Sequence, residues 1–153
     1  MSAAVRFYAS SMDQVSDYLT ARGISNETAQ RFMVGAALGK DNLKQALMQK
    51  GFDEETIRLT GLLNQYGQDR FQNHVVVPVF HRGQVMDFYG RLLADSPDQN
   101  NKHWRLPSER VILGRSLFNW NPRQEDIILV EGIFDALSLV EHGFDNAAAA
   151  GGN

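Results

Sequence analysis

The sequence contains no cysteine, and this absence is the first constraint on function. Disulfides, iron–sulfur clusters and zinc sites built from thiolates are excluded within these 153 residues. The histidines are too far apart in sequence to suggest a metal-binding pair on a helix or a hairpin. They are His74, His81, His103 and His142. We therefore expect no zinc.

Long apolar runs are also absent. No uninterrupted apolar stretch reaches the roughly 18 residues that a membrane-spanning helix needs. Residues 1–12 lack the basic start and apolar centre of a signal peptide. We expect no membrane partner and a cytoplasmic location.

A basic excess is missing as well, since the net charge is −3. A domain dedicated to nucleic acid usually carries a clear positive excess, so only a local basic stripe could serve that purpose here. The 43% hydrophobic and 22% charged residues are ordinary for a folded domain and argue against a disordered chain. The length suits one domain, or one domain and the beginning of another.

The first part of the chain is predicted to be helical. Val15, Tyr18 and Leu19 lie at helical spacing, and Ser10 or Ser11 can cap that helix. The helix is expected to end in a glycine, followed by an apolar residue and a new capping residue.

This junction occurs twice, at residues 22–28 and 50–56. In each copy the new helix begins with a capping residue, Ser25 or Asp53, and carries glutamate in its first turn, where the helix dipole favours a negative charge. The repeat is either a meaningful motif or simply good junction chemistry.

From Asn73 onward the pattern is that of strands. Residues 75–80 form a β-branched run, residues 81–83 make a turn, and residues 85–89 resume the run. This pattern predicts a β-hairpin. Pro78 has no N–H to donate, so it places the first strand at an edge or a bulge.

The last part of the chain is predicted to be strand, helix, strand. Residues 127–130 are wholly apolar and mostly β-branched, as expected for a strand buried on both faces. A helix over residues 136–140 stops at Gly143, and residues 147–150 can form a second strand. This is the beginning of a parallel unit, and the fold class is α/β.

Two carboxylates follow the first of these strands. Glu131 is the next residue after the strand, where ligands sit in open parallel sheets, and Asp135 lies about one helical turn later. Gly132 between them is expected to let the backbone turn sharply and to keep the approach open. Two carboxylates at a cleft suit Mg²⁺ or Mn²⁺, which favour oxygen ligands. The alternative is that they only place negative charge in the first turn of the helix.

The segment VEGIFDA (130–136) resembles the first motif of the Toprim domain, which bacterial primases share with topoisomerases and some nucleases. The resemblance implies that Glu131 is catalytic and that Glu131 and Asp135 hold the catalytic metal ions. The segment GFDNAAAAGG (143–152) resembles the second Toprim strand and the loop after it in DnaG-type primases.

An ordered series of further blocks resembles the catalytic core of the DnaG-type bacterial DNA primases. The blocks are YLTARGIS (18–25), RFMVGAA (31–37), DRFQNHVVVPV (69–79), VMDFYGRLL (85–93), KHWRLPSE (102–109) and GRSLF (114–118). They follow the family's order across nearly the whole chain. The resemblance implies a primase-type N-terminal subdomain over 1–122 and the beginning of a Toprim domain over 123–153.

The resemblance also implies a basic cleft for single-stranded DNA template and ribonucleoside triphosphates. The residues it assigns to that cleft are Arg91, Lys102, His103, Arg105 and Arg115. Residues 102–115 hold four lysines or arginines and a single acid, Glu109, which is a local basic stripe. Trp104 in this stripe can stack on a base. Alternatively, Trp104 is a core residue and the arginines are a solvated face.

The chain departs from the family pattern at several positions. His74, His103 and Arg105 stand where the family usually has Arg, Tyr and Asn, which suggests a plasmid, phage or mobile-element branch. The second acidic motif of the family, Asp-x-Asp, does not occur within the Toprim-like segment before Asn153. We therefore expect this chain alone to be inactive.

The function implied for the parent protein is synthesis of RNA primers on single-stranded DNA, with a replicative helicase as a possible partner. One alternative is a non-catalytic module that binds single-stranded DNA or a replication partner. A Toprim nuclease is another, which the primase-like blocks before Glu131 disfavour.

Overall fold

A computed structural model of the chain describes residues 1–93, 102–110 and 117–151. Arg115 and Gly114 lie outside the described residues. The helices are α1 (Ser2–Ala9), α2 (Ser16–Thr20), α3 (Asn26–Arg31), α4 (Asn42–Gln49), α5 (Glu54–Leu59) and α6 (Ile133–Glu141). The strands are β1 (Gly35–Ala37), β2 (His74–His81), β3 (Gln84–Leu92), β4 (His103–Arg105), β5 (Ile128–Val130) and β6 (Ala147–Ala149). Short 3₁₀ turns cover Met12–Val15 and Ser108–Arg110.

Strands β1 to β4 form an antiparallel sheet in the order β1-β2-β3-β4. The predicted hairpin is confirmed as β2 and β3, with Arg82 and Gly83 both at positive φ in the turn. Pro78 pairs only with Phe88, because β1 ends opposite Val76, and a register shift follows at Val79. The missing N–H of Pro78 therefore faces a local edge, as the sequence predicts.

Both helix–stop–helix junctions are confirmed. Gly23 and Gly51 have φ of 72° and 92°, and the next residue donates its N–H back to the carbonyl of Leu19 or Leu47. The side chain of Ser25 then accepts from the N–H of Thr28, as Asp53 does from that of Thr56. These bonds satisfy backbone groups that a helix end leaves unpaired.

The beginning of the chain differs from the prediction. Helix α1 was not foreseen, and Ser10 caps its end by donating to the carbonyl of Phe7. Ser11 then precedes a 3₁₀ turn and makes no side-chain cap. Helix α1 packs so closely on β1 that a Cβ at Gly35 would lie 2.0 Å from the carbonyl oxygen of Tyr8. The contact requires a glycine there.

The strand–helix–strand unit at the end of the chain is confirmed. Strands β5 and β6 are parallel, and α6 connects them and stops at Gly143 with φ of 90°. The prediction that the first strand is buried on both faces is wrong, since Leu129 is 61% exposed. Helix α6 covers one face of this two-stranded sheet, and nothing among the described residues covers the other side of Leu129.

One hydrophobic core joins the two predicted domains. Ile133, Leu137 and Ala149 pack in the same buried cluster as Leu19 and Val77. Phe118 also pairs with Ala149 through two backbone hydrogen bonds. The boundary at residue 122 remains a prediction. A second cluster packs α1, α4 and α5 against the other face of the sheet around Phe71 and Phe88.

Candidate functional site

The predicted acidic pair lies at the junction of β5 and α6. Glu131 is exposed at the carboxyl end of β5, and its carbonyl oxygen accepts from the N–H of Gly151 at 3.0 Å. Asp135 is exposed in the first turn of α6. Both carboxylates are thus available to a ligand at the carboxyl edge of the small parallel sheet. That Glu131 and Asp135 bind the same metal ions remains a prediction.

Gly132 lies under the side chain of Asp135, and its backbone makes no sharp turn. Its φ of −99° and ψ of 141° are extended backbone that other residues adopt, so the expected sharp turn is wrong. A Cβ at this position would lie 2.5 Å from Oδ2 of Asp135. The carboxylate of Asp135 therefore folds back over Gly132, toward the end of β5.

Four basic side chains gather beside this acidic loop, and we call them the basic cluster. They are Arg22, Arg91, Lys102 and His103. Arg91 of β3 and His103 of β4 are directly opposite in register, and Nη1 of Arg91 lies 2.6 Å from Nε2 of His103. Lys102 is exposed immediately before β4. Three of the predicted cleft residues are thus brought together.

The contacts of His103 fix its tautomer. A guanidinium can only donate, so Nε2 accepts from Arg91, and Nδ1 carries the proton toward the hydroxyl of Tyr89 at 2.5 Å. Partial burial lowers the pKa of His103, and the charges of Arg91, Lys102 and Arg22 lower it further. His103 is therefore neutral near pH 7, and the positive charge of the cluster comes from the two arginines and the lysine.

Phe134 joins the basic cluster to the acidic loop. It lies in the first turn of α6, and its ring centroid is 6.3 Å from that of Tyr18 and 6.2 Å from that of Tyr89. The guanidinium of Arg22 lies over the Tyr18 and Phe134 rings, at 4.8 Å and 5.3 Å from their centroids. Cation–π contacts of this kind hold the guanidinium in place beside α6. The rings of Tyr18, Tyr89 and Phe134 thus lie between the basic cluster and the acidic loop.

Arg105 is placed differently from the other predicted cleft residues. Its side chain is only 8% exposed, and its Nε donates to Oδ2 of the fully buried Asp87 at 2.8 Å. Nη1 reaches the carbonyl oxygen of Gly151 at 3.4 Å, and the N–H of Gly151 in turn donates to Glu131. Arg105 therefore links the hairpin to the acidic loop, and its role in binding a nucleotide remains a prediction.

Trp104 lies on the opposite face of the sheet from Arg91, His103 and Arg105. It is half-buried, pairs with Gly90 across the strands, and packs against the core around Phe71 and Phe88. Alternate residues of a strand point to opposite faces, which separates Trp104 from its neighbours. The core interpretation of Trp104 is therefore correct, and stacking on a base within the basic cluster is not available to it.

Sequence reasoning missed Arg22 and Asp87 as site residues. Arg22 stands in the first helix junction, where it was assigned no role beyond the stop signal. Asp87 is a lone carboxylate in the apolar run of β3, and its Oδ1 also accepts from the N–H groups of Phe88 and Leu106. A single acid within a strand of buried residues is a signal for an internal ion pair.

The carboxylates of Glu131 and Asp135 can supply some of the ligands of a hydrated divalent cation. Among residues 1–93, 102–110 and 117–151, no three histidine or acidic side chains converge as a metal site. Two exposed carboxylates at one loop are still sufficient for Mg²⁺, which keeps several waters and often takes only one or two protein carboxylates beside substrate phosphates. Within the described part of the chain, no helix has the length and apolar character to cross a membrane.

Comparison with known proteins identifies the family to which the chain belongs. The profile of the family "DNA primase catalytic core, N-terminal domain" matches residues 4–119. The chain therefore belongs to this family.

The DNA primase of Clostridium acetobutylicum is 34% identical over 163 aligned residues, covering 96% of this chain and 26% of that protein. The RNA polymerase domain of Mycobacterium tuberculosis primase DnaG, solved with a double-stranded DNA oligomer bearing a 6-nucleotide overhang, superposes with a TM-score of 0.85. It is 27% identical, and the match covers 99% of this chain and 53% of that one. A DnaG primase catalytic domain bound to single-stranded DNA matches 100% of this chain and 52% of its own, with 27% identity and a TM-score of 0.81. The chain thus spans about a quarter of the curated relative and about half of the solved domains.

Proposed function

We propose that this chain is the template-binding and metal-binding part of a DNA primase, an enzyme that joins ribonucleotides into a short RNA primer on single-stranded DNA. The observation that carries the proposal is the acidic loop of Glu131 and Asp135 beside the basic cluster. Phosphoryl transfer needs cations at the phosphates and carboxylates for metal ions at the reacting oxygens. Family membership supports this pairing of groups.

In this proposal Glu131 and Asp135 hold Mg²⁺ or Mn²⁺. A bound divalent ion would activate the attacking 3′-hydroxyl and stabilise the leaving pyrophosphate. The chain's own contribution is to hold the two carboxylates at the end of β5, with the Glu131 carbonyl fixed by Gly151. The Toprim assignment of residues 123–153 belongs to this proposal.

The basic cluster would hold the template strand. Arg91 and Lys102 carry charge that phosphates can neutralise, and Arg22 is held near them by the rings of Tyr18 and Phe134. Arg105 would act by fixing the position of the acidic loop, because its guanidinium is buried against Asp87. Arg115 is proposed as a further phosphate ligand on the family resemblance alone.

Glu131→Gln in the whole protein tests the metal assignment. The variant keeps the shape of the side chain and removes its charge, so primer synthesis should be lost while single-stranded DNA binding stays near the wild-type level. Primer length and yield on a single-stranded template report the first property, and anisotropy of a labelled oligonucleotide reports the second. Near-normal synthesis by the variant would exclude the metal role of Glu131.

The 153-residue chain itself tests the template assignment. We expect weak binding of single-stranded DNA with strong salt dependence, because released counterions dominate such binding. Arg91→Ala and Lys102→Ala should each weaken binding and lower the salt slope by about one, as one phosphate contact is lost. Binding that ignores salt would overturn the assignment. Arg58→Ala, whose arginine pairs with Glu54 on α5, is the control and should change nothing.

A further inference from the structure

A second candidate binding site lies at the tip of the β2–β3 hairpin. A cavity of about 300 Å³ opens there between the hairpin turn and the segment that follows Phe118. Its lining residues are His81, Arg82, Trp120, Asn121 and Pro122, and we call it the aromatic cleft. A shallower hollow of about 220 Å³ continues from it along Phe80 and Phe32. Neither the acidic loop nor the basic cluster contributes to either.

Two nearly parallel rings form the walls of the aromatic cleft. The rings of His81 and Trp120 are tilted by only 15°, and their centroids are 6.4 Å apart. Atoms in face contact lie about 3.5–4 Å apart, so a flat ring held between two others needs about 7 Å. Trp120 is 44% exposed, so a small outward rotation of its side chain would provide that spacing. The geometry suits a planar aromatic ligand.

The charge around the cleft suits an anionic ligand. Among residues 1–93, 102–110 and 117–151, no acidic side chain lines either hollow, and Arg82 is exposed at the rim. Within the described part of the chain Arg82 makes no ion pair. Its place in the turn is fixed by φ of 50°, next to Gly83 with φ of 78°. A flat ring bonded to a phosphate matches both the walls and the rim.

The segment carrying Trp120 is held firmly against β6. Asn119, at φ of 55°, donates from its side chain to the carbonyl oxygens of Ala147 and Asp145 at the amino end of β6. The Oδ1 of Asn121 then accepts from the N–H of Arg123 at 3.0 Å. These hydrogen bonds anchor the segment that carries Trp120 at the amino end of β6, the end opposite Gly151.

The aromatic cleft is separate from the basic cluster. Arg82 lies in the turn before β3 and Arg91 near the far end of that strand, and nine residues of extended chain at about 3.3 Å each place them up to roughly 30 Å apart. A ligand must be several nucleotides long to touch both.

We propose that the aromatic cleft binds an unstacked base of a single-stranded nucleic acid, with Arg82 on a neighbouring phosphate. Stacking on aromatic side chains tolerates every base, since each has a π-face, and so the site needs no sequence preference. The proposal rests on the proposed function only in taking nucleic acid as the class of ligand. The aromatic cleft would be a second contact for the nucleic acid strand, at a distance from the acidic loop.

Tryptophan fluorescence tests the proposal in the full chain. The sequence has two tryptophans, so Trp104→Phe leaves Trp120 as the single reporter. Titration with an oligothymidylate of about 15 nucleotides should quench Trp120 in a saturable way, because the base stacks on the indole. Inorganic tripolyphosphate, which has charge and no ring, should leave the fluorescence unchanged.

Substitutions then measure the contribution of the cleft. By anisotropy of the labelled oligonucleotide, Trp120→Ala should weaken binding roughly 5- to 150-fold, the range for loss of one stacked base. His81→Ala should act in the same direction, and Arg82→Ala should lower the salt slope by about one. Tyr66→Ala, at an exposed aromatic that lines neither hollow, is the control and should bind normally.

The outcomes separate this proposal from the proposed function. Normal binding by folded Trp120→Ala and His81→Ala, together with unquenched Trp120, would refute the cleft and leave the basic cluster as the binding surface. Loss of binding only in Arg91→Ala and Lys102→Ala has the same meaning. Absence of any oligonucleotide binding by the wild-type chain would overturn both proposals. Equal quenching by tripolyphosphate would show that the cleft binds phosphate and no base.

Discussion

Asp69 and Asp87 are both buried carboxylates beside the same antiparallel sheet, yet their partners differ. Oδ1 of Asp69 accepts from the hydroxyl of Tyr8 at 2.9 Å and from the N–H of Phe71, and no cation pairs with it among the described residues. Asp87 has the guanidinium of Arg105. Burial without a cation raises the pKa of Asp69 to about 7.

The difference separates a pair enclosed in the core from a pair connected to the candidate site. The Tyr8–Asp69 pair is enclosed by α1, Phe71 and Phe88, where the rings pack edge to face. The Asp87–Arg105 pair extends through Gly151 to the backbone of Glu131. A fixed buried charge can orient a neighbouring loop, whereas a carboxyl group that is readily protonated serves mainly to complete the core. Three predictions test this contrast.

Asp87→Ala should have the largest effect. It leaves the guanidinium of Arg105 buried without its carboxylate, and breaking a buried pair in this way costs about 3–5 kcal/mol of the free energy of unfolding. Urea denaturation at pH 7 measures the loss. Asp145→Ala removes the exposed partner of Arg31 and should change stability by less than about 1 kcal/mol. A similarly small loss in Asp87→Ala would mean that the pair is not a structural link.

Asp69→Asn should change the pH dependence of stability. The folded-state pKa of about 7 is above the ordinary value of 3.8, so the native state holds this proton while the unfolded state releases it. Stability from this group is greatest below pH 3.8 and falls as pH rises to about 7, by up to ~4 kcal/mol.

The variant lacks this titration. Its stability relative to the wild type should therefore increase between pH 4 and pH 7, as measured by urea denaturation at several pH values across that range. Two parallel curves would show that Asp69 titrates alike in the folded and unfolded states.

Tyr8→Phe should have the smallest effect. The hydroxyl of Tyr8 donates to Asp69 and lowers its pKa, so its removal should raise the pKa of Asp69 further and cost about 1 kcal/mol of stability. The pH at which stability stops falling would then move upward. An unchanged pH profile would mean that Tyr8 packs against Asp69 without stabilising its charge. Tyr66→Phe, at an exposed position, is the control.

Local chemistry made several elements predictable. Gly23 and Gly51 stop helices because positive φ is easy for glycine, and the β-branched run of β2 with its turn identified the hairpin. The two junctions still differ in place: Ile24 is buried in the core, and Phe52 is 44% exposed. The glycine stop therefore predicted the backbone conformation of each junction, but not whether the apolar residue after it is buried.

The sequence predicted which residues belong to the candidate site better than it predicted how they are arranged. Glu131 and Asp135 were identified from one motif, and Arg91 and Lys102 from two further blocks. The burial of Arg105 depends on Asp87, a residue 18 positions away that becomes its neighbour only when β3 and β4 pair. The sequence left Trp104 open between base stacking and a core position, because the three residues of β4 are too few for alternation to show which face each side chain takes.

The sequence by itself determined the helix stops, the hairpin, the βαβ unit and the membership of the primase family, because these depend on neighbouring residues or on ordered motifs. Only the tertiary structure decided which charged groups face solvent and which are paired inside. It also brought His81 to Trp120 and Arg22 to Phe134. These contacts join distant parts of the chain, and a side chain's charge and accessibility depend on the neighbours that folding supplies.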